Sequence, residues 1–324
     1  MSKNIFSIGL IVLGLIIGQI IRKLVIREII PEKVPVSKYL IYAQKTIIFG
    51  INPVITLGAF WGARLNEIRY VFLPILGICA LSIGGLLGFT ASKILKHERR
   101  QTGSMFCSAS FTNLGSFGAL ICFVFFGEKS YVFVSLYRLF EELTYFLIGF
   151  PVAKLHGNDT NEREGKNSLI RIVTDPYIIV YIASITIGML LNISGFARPA
   201  VYTGINEIFI PISSILLVIS VGFSMRITAI GGYLRECMAV SAVKFLILPI
   251  IITSLAYLAG LGSINGGLAL KVVLVLSAMP PAFYSLIPPQ LYGLDTDLAN
   301  SCWLFGSGSL ALVIPILFMV QGLM

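Results

Sequence analysis

Apolar runs of about 20 residues, each long enough as a helix to cross a hydrocarbon core about 30 Å thick, follow one another along the chain. Short polar joints separate them. The pattern predicts an all-α polytopic membrane protein. Ten transmembrane helices fit, at roughly 5–22, 39–62, 69–92, 101–126, 130–153, 177–194, 203–224, 236–259, 267–292 and 298–321. The most polar joint, 154–176, divides the chain into halves at 1–153 and 177–324, five spans in each. An odd number of crossings returns the second half with opposite orientation, the arithmetic of two inverted five-helix repeats.

Two spans read badly as continuous helices. Between Gly103 and Gly118 the fourth is crowded with small and polar residues, including Ser110, Thr112, Asn113, Gly115 and Ser116. Asn113 beside Gly115 predicts a break at membrane depth, tolerated only where protein or water meets the freed backbone groups. The ninth carries Met279, Pro280, Pro281 and Tyr284, then Pro288 and Pro289. Proline cannot donate to the carbonyl four residues back, so this span predicts a second break. Counting back equally from Gly127 and Gly293 sets Asn113 opposite Met279, and Leu114 and Gly115 opposite Pro280 and Pro281. Paired broken helices mark a carrier's binding site. Each second half-helix would offer free N–H groups and a positive dipole end to an anion, while the first halves offer carbonyls to a cation or donor. The predicted substrate is therefore a small organic anion, bound by Thr112, Asn113, Gly115, Ser116, Met279, Pro280, Pro281 and Tyr284.

Composition agrees with the lipid bilayer as solvent. The 324 residues are 56% hydrophobic and 12% charged, with mean hydropathy +0.91. The net charge of +9 lies in short joints rather than basic blocks, which speaks against nucleic acid. With the N-terminus outside, 15 Lys and Arg fall on inner joints against six on outer ones, predicting both termini outside. The five cysteines lack paired metal-ligand spacing and read as small core residues. No metal or cofactor is expected, and no nucleophile and base suggest an enzyme. Absence of a Walker-type loop speaks against direct ATP use.

Two groups of charges lie inside spans. Lys244 sits about 10 to 13 Å from the nearer end of the eighth, beyond comfortable snorkelling reach. It serves either gating, coupling or substrate charge, or a structural contact inside the bundle. In the fifth, Arg138 reaches Glu141 and Glu142 at helical spacings of three and four. The trio either neutralises itself or lets one glutamate carry a proton. Gly14 with Gly18 and Gly84 with Gly88 predict close helix packing.

Asn113-Leu-Gly-Ser-Phe-Gly118, Lys244 with Pro249, Asp175-Pro-Tyr-Ile-Ile, Phe209-Ile-Pro, Val221-Gly-Phe-Ser-Met and Ala278-Met-Pro-Pro-Ala282 occur together in order. In this the chain resembles the auxin efflux carrier family across almost its whole length. The resemblance implies a bacterial inner (cell) membrane protein related to the bile-acid/sodium symporter and sodium/proton antiporter folds. Helices 4 and 9 would cross as broken helices. Helices 1, 2, 6 and 7 would form a scaffold, often a homodimer, and helices 3–5 and 8–10 a mobile transport domain working as an elevator. Substrates would be carboxylates such as auxin or dicarboxylates. The neighbouring alternative is a sodium-coupled organic-anion symporter on the same fold. The chain departs from the family at Leu120, at Tyr284 and in the Arg138-Glu141-Glu142 cluster, for which the resemblance supplies no role.

Overall fold

The computed structural model describes residues 3–31, 33–63, 67–157, 176–224 and 231–324. Arg64, Arg163, Lys166, Arg171 and Arg226, counted above for orientation, lie outside these residues, as do Asp175 and most of the 154–176 joint.

Among the described residues every regular element is helical. The α-helices are α1 Lys3–Ile26, α2 Val36–Thr46, α3 Asn52–Trp61, α4 Phe72–Ile94, α5 Arg99–Ser110, α6 Ala119–Phe126, α7 Ser130–Tyr137, α8 Glu141–Thr144 and α9 Phe150–His156. After the long joint come α10 Pro176–Ile193, α11 Val201–Ser224, α12 Leu234–Ala242, α13 Leu248–Leu258, α14 Leu268–Ser277, α15 Ile287–Leu291 and α16 Thr296–Leu323. Among the described residues three continuous helical stretches, Ile68–Ile94, Leu234–Leu258 and Thr296–Leu323, are long and apolar enough to cross a membrane. Outward-facing Leu86, Leu246 and Ile250 are about 60% exposed, as side chains facing lipid should be.

Several expected spans are not uniform α-helix, and proline explains where. Wide π turns occupy Ile47–Ile51, Tyr145–Gly149 and Val243–Ile247, and each is followed by one residue and then Pro53, Pro151 or Pro249. A proline lacks its N–H and clashes with the carbonyl four residues back. In all three the preceding residue reaches back five positions instead: Asn52 to Ile47, Phe150 to Tyr145 and Leu248 to Val243. Such insertions rotate side chains off the regular face and recur at functional sites. Here they carry Tyr145 and Lys244.

The chain forms two compact units. The first comprises Met1–Arg64, Gly115–Val132 and Thr174–Met225. Its helices meet at glycine. A Cβ on Gly18 would stand 2.3 Å from the Ile219 carbonyl, and one on Gly188 would stand 2.6 Å from that of Leu57. Glu128, just past α6, accepts hydrogen bonds from Arg198 and, at 2.9 Å, from the buried Asn206.

The second unit comprises Leu65–Leu114, Phe133–Val173 and Arg226–Met324. There α4 lies on α5 through Gly84 and Gly88, whose added Cβ atoms would meet Ala109 and Met105 within 2.8 Å. Glu98 and Gln101 form a reciprocal cap at the start of α5. Its other end, at Ser110, opens into the candidate site.

Candidate functional site

The span around Thr112 stops being helical after Ser110 and resumes as a π turn over Leu114–Gly118 that runs into α6. The proline-rich span stops after Ser277 and resumes as a 3₁₀ turn over Phe283–Leu286. Between these ends the two segments lie antiparallel as a minimal β pair centred on Thr112 and Pro281. The Asn113 N–H donates to the Pro280 carbonyl at 2.9 Å, and the Ala282 N–H donates to the Phe111 carbonyl at 3.0 Å.

This register explains the proline. Flanked by those two bonds, Thr112 and Pro281 are a non-hydrogen-bonded pair, whose own N–H and C=O groups point away from the partner strand. An N–H at position 281 would find nothing on Thr112, so its absence costs no ladder bond. Thr112 has both groups, and both need other partners. Tyr145 supplies them: its hydroxyl accepts from the Thr112 N–H at 3.1 Å and stands 3.0 Å from the Thr112 carbonyl. Tyr145 stacks on Phe111 at 4.3 Å and on Tyr284 at 5.9 Å.

Lys244 meets the same residue from another side. Its side chain is fully buried, and Nζ lies 2.6 Å from Thr112 Oγ1 and 3.2 Å from the Ser110 carbonyl. The Ser110 carbonyl belongs to the last turn of α5, where carbonyls lack intrahelical donors. Among the described residues no carboxylate lies within ion-pair distance of Nζ. The partner that an intramembrane lysine demands is here a carbonyl and a hydroxyl, not the acid that charge alone suggests.

The Arg138 cluster joins through Tyr145. Arg138 Nε donates to Glu141 Oε2 at 2.9 Å, with the two side chains 12% and 6% exposed. Glu141 Oε1 is 3.1 Å from the Tyr145 hydroxyl. Glu142 follows on α8 and is half-buried.

The second unit thus brings Thr112, Asn113, Met279, Pro280, Pro281, Tyr284, Lys244, Arg138, Glu141 and Glu142 into one body. Met279 is fully buried. Gly115 and Ser116 are half-buried in the π turn and belong to the first unit. Ahead of the second half-helix, the N–H groups of Thr112, Asn113 and Leu114 are taken by Tyr145, Pro280 and the Thr112 carbonyl. The amine that faces the first break is that of Lys244.

Sequence reasoning missed Tyr145, although Pro151 six residues later marks the turn that carries it. It also missed Gly149 and Gly306. A Cβ on Gly149 would come within 2.4 Å of the Phe111 ring, and one on Gly306 within 2.7 Å of Pro281 Cδ. Among the described residues no group of His, Cys, Asp and Glu could hold a metal ion.

No family model matches the chain. It is similar to a protein of Methanothermobacter thermautotrophicus named as an uncharacterized transporter, with 21% identity over 263 residues, 81% of this chain and 82% of that protein.

Proposed function

We propose that this chain is a secondary membrane carrier of a small organic anion, a carboxylate of the auxin-like or dicarboxylate kind, working by alternating access. In this reading ten helices cross the membrane as two inverted repeats, and the paired breaks are the crossings of the fourth and ninth. The first unit's Met1–Arg64 and Thr174–Met225 serve as scaffold, through which a homodimer would form. The second unit carries the cargo in an elevator movement. The apolar helices, the transporter name of the similar archaeal protein and the resemblance to auxin efflux carriers support it.

The observation that carries the anion is Lys244. A buried cation without a carboxylate partner is costly, and a carboxylate cargo supplies what is missing. The same contacts argue against a sodium site at the first break. The oxygens that would ligate the ion, Ser110 O and Thr112 Oγ1, already face the Lys244 amine.

The test is thermal unfolding of the purified chain against a panel of mono- and dicarboxylates, followed by counterflow in proteoliposomes. A ligand of the folded state stabilises by about 2.7 kcal/mol at a hundredfold its Kd. The expected result is a shift with one class of carboxylate, unaffected by sodium and lost in Lys244→Met. Shifts with cations or neutral solutes alone would overturn the anion.

A further inference from the structure

The Tyr145 hydroxyl has more acceptors than hydrogens. It owns one hydrogen, yet Thr112 O stands at 3.0 Å and Glu141 Oε1 at 3.1 Å, while the Thr112 N–H already points at it from 3.1 Å. With Glu141 ionised, the hydrogen goes to the carboxylate, and the Thr112 carbonyl keeps only the tight bond from the Leu114 N–H. With Glu141 protonated on Oε1, the acid donates to Tyr145, which accepts from it and from the Thr112 N–H and turns its own hydrogen to the Thr112 carbonyl. Every donor and acceptor then has a partner without any heavy atom moving. Glu141 Oε2 remains free to accept from Arg138 at 2.9 Å in both states.

We propose that Glu141 is a proton-binding site of the carrier, and that Tyr145 reports its occupancy to the first break by switching its one hydrogen between Glu141 and Thr112. The inference rests on the carrier reading and assigns its coupling ion as the proton. In chemical terms a hydronium ion gives up one O–H bond and leaves as water, Oε1 gains one O–H bond, and the Tyr145 hydrogen is redirected from Glu141 to Thr112.

The surroundings suit a site that changes charge. Glu141, Tyr145 and Thr112 are 7%, 1% and 4% exposed. Arg138 faces the carboxylate from the turn that follows α7, and Glu142 comes next on α8. The buried Tyr137 belongs to α7, and Cys79 lies on α4, which packs on Tyr137 through Gly77. Lys244 lies beyond Thr112 on the turn before α13.

The experiment is difference infrared spectroscopy of the purified full chain during acid titration, in water and in deuterium oxide, with no cargo present. The expected result is a protonated-carboxyl stretch that grows as pH falls, is absent in Glu141→Gln and is displaced in Tyr145→Phe. Identical spectra for wild type and Glu141→Gln would overturn the proton site. A band lost in Glu141→Gln but unmoved in Tyr145→Phe would overturn the link to the break. Should Glu141→Gln fail to fold, Tyr145→Phe decides, since a folded variant with an unmoved band refutes the proposal. Because the titration needs no cargo, a band without carboxylate counterflow defeats the carrier reading alone, and counterflow without the band defeats this proposal alone.

Discussion

The two breaks end as partners in one β pair, but they are made by opposite means. The second is written into the covalent chain: Pro280 and Pro281 cannot donate, and no neighbour is needed to stop the helix there. The first has every backbone donor it needs to continue as a helix. It stays open because Tyr145 takes the Thr112 N–H, Pro280 takes that of Asn113, and Lys244 meets the Ser110 carbonyl. A break held by proline is fixed, whereas one held by side chains answers to whatever changes those side chains. Control should therefore reside at Thr112, and the Pro280-Pro281 segment should serve as its template.

The sharpest way to break this contrast is Lys244→Met, which keeps the volume and removes the charge. Carboxylate counterflow should fall at least about a hundredfold, equivalent to about 2.7 kcal/mol. Counterflow near wild type in a folded protein would make Lys244 purely structural.

Next come the two glycine seats. Gly149→Ala drives a Cβ into the Phe111 ring, which is fully buried and stacked on Tyr145. The expected loss is about 3 kcal/mol, the upper end for overpacking a core. Gly306→Ala meets Pro281 Cδ at a less severe 2.7 Å and should cost about 1 kcal/mol. Chemical denaturation measures both. Adding Pro281→Ala removes the ring atom that collides, so the double variant should recover most of the Gly306→Ala loss. A further loss in place of recovery would show that the ring is not what Gly306 accommodates.

How far the sequence exposes this site follows the same division. Pro280 and Pro281 announce their break, since proline's effect is local. Asn113 and Gly115 announce only weakness in a helix, and the break itself falls at Phe111–Asn113. The agents that hold it lie far along the chain, Tyr145 at 33 residues and Lys244 at 132 from Thr112. Lys244 stands out as a charge in an apolar run, but charge alone suggests a carboxylate partner, and a backbone carbonyl carries no residue type to search for. The π turns are partly legible, because Pro53, Pro151 and Pro249 each mark one. What proline cannot say is which side chain the widened turn redirects.

The smallest effect, a coupling between two variants, is the most telling about how the first break is held. Tyr145→Phe keeps the stack on Phe111 and removes the hydroxyl, so the Thr112 N–H loses its acceptor at a cost of about 1–3 kcal/mol. Tyr145 acts on the Thr112 backbone and Lys244 on its side-chain oxygen. If both hold one shared residue, the losses from Tyr145→Phe and Lys244→Met should not add. A double-mutant cycle on unfolding free energy should give a coupling of at least about 0.5 kcal/mol, beyond the scatter expected of independent sites. Strictly additive losses would mean that Tyr145 and Lys244 act independently and do not hold Thr112 as one unit.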